Sequence, residues 1–106
     1  MNIKNIIHES IGFDTYTNFC KNVGISKYNF SAWINHRQNL SVRTLFKILN
    51  YLKVLSPERN FNSIANLTVL DLEDLYNHKE DLEAIFNALE ILKDKNSKTN
   101  KKRKLR

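Results

Sequence analysis

The residue types that carry catalysis are present in this chain, but their spacing does not bring them together. His8, His36 and His78 stand far apart, and with Cys20 as the single cysteine they make no metal-ligand set. There is no glycine-rich phosphate loop, no HExxH helix and no nucleophile elbow. Carboxylates crowd between positions 71 and 90, yet they alternate with leucines at helical spacing and are expected on solvated faces. We therefore expect no enzyme activity, no metal and no cofactor. Cys20, without a second cysteine to resolve it, reads as a small buried residue and not as a redox switch. What remains is hydrogen bonding and charge. Lys27, Tyr28, Ser31 and Asn35 crowd into one short segment, with Arg37, Gln38, Asn39 and Arg43 close behind.

The elements that must position these side chains are helices. In 106 residues there are two glycines and one proline, too few for a hairpin-rich fold, whereas Leu, Ile, Asn, Lys and Glu dominate. This length suits one small globular unit with an appendage. Ile3, Ile6, Ile7 and Ile11 recur at helical spacing and predict a first helix ending near Gly12. Thr15 is then an N-cap for a helix over Tyr16–Val23, with Phe19, Cys20 and Val23 inward and Gly24 as the positive-φ turn residue. Ser26 caps a third helix from Lys27 to about Asn35, whose apolar positions are Phe30, Trp33 and Ile34. Ser41 caps a fourth, in which Val42, Leu45, Ile48, Leu49 and Leu52 form one stripe. Burial of Phe30 or Trp33 is worth roughly 1.5–3 kcal/mol each, so both are expected in the core and not as stacking platforms for single strands.

Residues 15–54 resemble the Cro/C1-type helix-turn-helix family of bacterial and phage regulators. The resemblance rests on Thr15 as cap, Phe19-Cys20 where the family usually has Leu-Ala, and Gly24-Ile25-Ser26 at the turn. Phe30 and Trp33 in the third helix and Leu40-Ser41 with Leu45 opening the fourth complete the pattern. Three positions depart from it: Ile34 replaces the common Glu, His36 the common Gly, and Leu40 the frequent Pro. Histidine tolerates the left-handed conformation that a helix end needs, though less readily than glycine.

The resemblance implies an all-α, lambda-repressor-like bundle of about five helices with a C-terminal helical extension. It implies that the third helix enters the major groove of duplex DNA. Its outward set, Lys27, Tyr28, Ser31, Ala32 and Asn35, would then face base edges: Lys27 donating to guanine, Tyr28 and Ser31 donating or accepting, the Ala32 methyl meeting a thymine methyl. Tyr16 and Thr17 at the start of the second helix, marginal Asn29, loop residues Arg37, Gln38 and Asn39, and Arg43 would contact phosphates.

Charge divides the chain into three. Residues 1–55 carry seven Lys/Arg against two acids (+5), residues 56–92 two against eight (−6) and residues 93–106 eight against one (+7), which makes the net +6. We read 1–55 as the DNA-binding domain, 56–92 as a helical extension and 93–106 as a basic, disordered tail able to add phosphate contacts. Ser56-Pro57 resembles a helix start, and Thr68 with Asp71 and Asn77 with Glu80 have cap spacing. Leu82, Ile85, Phe86, Leu89 and Leu92 form an apolar stripe that must bury itself on the N-terminal domain or on a second copy. Homodimerisation is the favoured expectation, since two reading helices on a palindrome lie about 34 Å apart.

The run LSVRTLFKILNYLKVL, with its short extension and terminal Lys/Arg cluster, is also similar to HipB-type antitoxins. That similarity implies a dimeric autorepressor with a cognate toxin protein as partner. The alternatives are a phage-type repressor without a toxin and a protein-binding adaptor that reuses the fold. The start, MNIKNIIHES, is no secretory signal and nothing approaches a membrane span, so the expected setting is the reducing cytoplasm, without membrane.

Overall fold

The computed structural model describes residues 2–56, 64–69 and 79–104, the last seven of these by backbone alone. Among them the chain is all-helical, with α1 (Ile3–Ile11), α2 (Tyr16–Val23), α3 (Lys27–Ile34), α4 (Val42–Tyr51) and α5 (Lys79–Lys104), and no strand beyond one isolated bridge. The Ser56-Pro57 pair and the caps involving Asp71 and Asn77 reach outside the described residues.

Local chemistry sets the first four helices. The side chains of Asn2, Thr15, Ser26 and Ser41 accept from the amides of Asn5, Asn18, Asn29 and Thr44 at 3.1–3.2 Å, each satisfying one of the helix's orphan donors. Gly24, at φ +85°, ends α2 and makes the turn into α3. α3 and α4 both end in a Schellman motif built on a non-glycine residue. His36, at φ 62°, donates its amide to Trp33 O while Arg37 donates to Ala32 O at 2.7 Å; Lys53, also at φ 62°, donates to Asn50 O while Val54 donates to Leu49 O.

The core begins at Phe30, which is fully buried and touches Tyr16, Phe19 and Trp33 at ring-centroid distances of 5.3, 5.6 and 6.0 Å. α4 contributes Val42, Leu45, Ile48 and Leu49, and α1 contributes Ile6, Ile7 and Ile11. Segment 64–69 closes the open end of α4. Leu67 O and Ala65 O accept from the Val42 and Arg43 amides at 2.8 and 3.2 Å, Val69 N donates to Leu40 O at 2.8 Å, and Ile64, Ala65 and Val69 are buried.

The stripe on α5 lies against the chain's own core. Ile85, Leu89 and Leu92 are buried, with Ala88, and Leu82 and Phe86 pack at their edge, α1 and α4 being the contacted helices. Of the two ways to cover this face, the chain uses the intramolecular one. The contact continues past the stripe, where Asn96 Nδ2 donates to Ile6 O at 3.2 Å and Ser10 Oγ at 3.1 Å. Residues 93–104, expected to be disordered, continue the helix, and no Gly or Pro interrupts them. No described helix is long and apolar enough to cross a membrane.

Candidate nucleic-acid interface

The first turn of α3 is a polar edge on an aromatic base. Lys27, Tyr28 and Asn29 are exposed, Tyr28 to 75%, while Phe30 and Trp33 beneath them are buried at 0% and 3%. The Ser26 cap leaves this turn at the helix N-terminus, where partial positive charge favours anionic partners. Ser31 is half-buried.

Two of the expected base contacts sit elsewhere. Ala32 is 5% exposed and cannot meet a thymine methyl. Its position off the apolar stripe made it look outward, but it is buried, and the Arg37 amide closes on its carbonyl at 2.7 Å. Asn35 is the C-cap of α3, and its Nδ2 is turned back to Ser31 O at 2.9 Å and to Ser31 Oγ at 3.4 Å. It remains exposed, but at the far end of the helix from Lys27.

The expected phosphate contacts fall into two groups. Tyr16 and Thr17 open α2; Thr17 is exposed, whereas Tyr16 is half-buried, with its ring on Phe30 and its hydroxyl 2.5 Å from His8 Nδ1. Burial raises the Tyr16 pKa, with Cys20 adding to the effect, and the phenol stays protonated. In the second group Arg37, Gln38, Asn39 and Arg43 are all exposed. Gln38 Nε2 donates to Asn29 O at 3.2 Å, tying the loop back to the first turn of α3. Cys20 is 1% exposed, and burial pushes its thiol up despite the lowering effect of Lys27. Among the described residues no group of three or more His, Cys, Asp or Glu side chains is placed to hold a metal ion.

The sequence reading missed a groove of about 350 Å³ beside these residues. It is bounded by α1, the start of α2 and the end of α3, and it is lined by Asn2, Lys4, Asn5, His8, Tyr16, Ile34, Asn35 and His36. Lys4 Nζ donates to His36 Nδ1 at 2.6 Å and stands 5.9 Å from the Trp33 ring centroid. The available signal was the i, i+4 pair Lys4/His8 on a helix otherwise patterned by isoleucines.

Family models, curated proteins and solved structures were compared with the chain, and none matches.

Proposed function

We propose that the chain is a sequence-specific duplex-DNA-binding repressor that places the first turn of α3 in the major groove. The observation that carries this reading is the exposed Lys27-Tyr28-Asn29 edge over buried Phe30 and Trp33, with Ser31 at its margin. A tyrosine 75% exposed at the first turn of a helix presents its hydroxyl to a partner as donor or acceptor. Thr17, Arg37, Asn39 and Arg43 flank that edge as backbone contacts, and residues 1–55 supply a +5 field for them. Lys27, Tyr28 and Ser31 read bases in this account, and Ala32 and Asn35 do not.

The protein acts as a homodimer on a palindrome, because one short helix reads too few bases for operator specificity. With Ile85, Leu89 and Leu92 committed to the core, the two copies meet through a different surface.

Selection of bound sequences from random duplexes tests the reading. A defined motif should emerge from the full chain at moderate salt, and Tyr28→Ala and Lys27→Ala should relax it at particular positions, by about 1–3 kcal/mol per lost bidentate contact. No enrichment, or an unchanged motif in both variants, contradicts it.

A further inference from the structure

We propose that the groove between α1, the start of α2 and the end of α3 is a phosphate-binding site. None of its eight lining residues is acidic, and Lys4 places an ammonium group in it. That ammonium can only donate, so the 2.6 Å bond to His36 Nδ1 requires a lone pair there, and the proton of neutral His36 sits on Nε2 as a donor. The Tyr16 hydroxyl, kept protonated by burial, can donate to His8 Nδ1 at 2.5 Å, which leaves the His8 proton on Nε2 as well. Lys4 retains further N–H groups after serving His36, and Asn2 and Asn5 line the same groove. One cation with several N–H donors and no competing carboxylate suits a tetrahedral anion rich in acceptor oxygens.

The position fits the same chemistry. One wall is Tyr16, at the start of α2, and the other is His36, next to exposed Arg37. Thr17, which follows Tyr16, and Arg37 are backbone contacts in the operator reading, so a bound duplex would carry one of its phosphates across the groove. To that extent the inference rests on the operator reading. A phosphorylated small molecule offers the same group and would fill the groove without DNA.

Two measurements on the full chain separate these sources. Inorganic phosphate is titrated at constant ionic strength against a chloride control, with amide and imidazole signals followed by NMR. The expected result is a saturable shift confined to Asn5, His8, Asn35 and His36, lost in Lys4→Gln. In the second, duplex affinity is measured against salt. Lys4→Gln should lower the log-log slope by about 0.9 if the groove holds a backbone phosphate. Saturable phosphate binding with an unchanged slope assigns the groove to a small phosphorylated ligand. Phosphate binding by a protein that binds no duplex sinks the operator reading and leaves the groove standing. Scattered, unsaturated shifts in the unmodified protein together with an unchanged slope overturn the groove proposal, whatever the duplex affinity.

Discussion

His36 and Lys53 hold a left-handed backbone, both at φ 62°, at a cost that glycine would avoid. Lys53→Gly should therefore raise stability by up to about 1 kcal/mol in urea unfolding, the relief of strain outweighing the added freedom of the unfolded chain. His36→Gly should gain less, because it also removes the acceptor of the Lys4 ammonium. A second contrast separates the supporting residues of α3 from its exposed edge. Phe30→Ala should cost about 3–5 kcal/mol, whereas Tyr28→Ala should stay within about 0.5 kcal/mol by the same assay. Alkali provides a third. The Cys20 thiol and the Tyr16 phenol both have folded pKa values raised by burial, so each favours the protonated fold. Their contribution is fully present below the unfolded values, 9.0 for Cys20 and 10.0 for Tyr16, and is lost as pH rises through the folded ones. Unfolding free energy should fall above about pH 9 as unfolded thiol ionises, and Cys20→Ala should flatten the first part of that fall.

At the scale of elements, α5 belongs to the core. Leu89→Ala should cost about 2–5 kcal/mol in urea unfolding, a loss in the range of Leu45→Ala on α4, since both side chains are fully buried. The helices legible in the sequence are those with their own local signals: isoleucine spacing and Gly12 for α1, and the caps Thr15, Ser26 and Ser41, with Gly24 after α2, for the next three. What was hidden depends on distant partners. Segment 64–69, which the sequence reading placed in a helical extension, follows no apolar period, and its place is set by bonds to Leu40, Val42 and Arg43. The reach of α5 to Lys104 was hidden by a composition that reads as disorder, although Asn96 is tied to α1. Ala32 lies off the apolar stripe of α3, yet it is buried. The groove joins residues 4, 8, 16 and 36, a proximity that no local period encodes.

The whole molecule is elongated, 46 Å in its long dimension against 27 and 26 Å in the others. Its charge is polarised, with a basic N-terminal part, acids concentrated between 56 and 92, and +7 over residues 93–106. In the proposed operator reading, such a distribution should favour duplex association at low salt and make affinity fall steeply as salt rises. Charge alone would attract any duplex; in the proposed operator reading the Lys27-Tyr28-Ser31 edge supplies the discrimination. Equilibrium binding of the full chain to its selected duplex and to a scrambled duplex of equal length, at one physiological salt concentration, therefore decides whether it reads sequence. The selected duplex should bind at least about 10³-fold more tightly, with much of that ratio lost in Tyr28→Ala. Equal affinity for the two duplexes, or binding to neither, would contradict the operator reading.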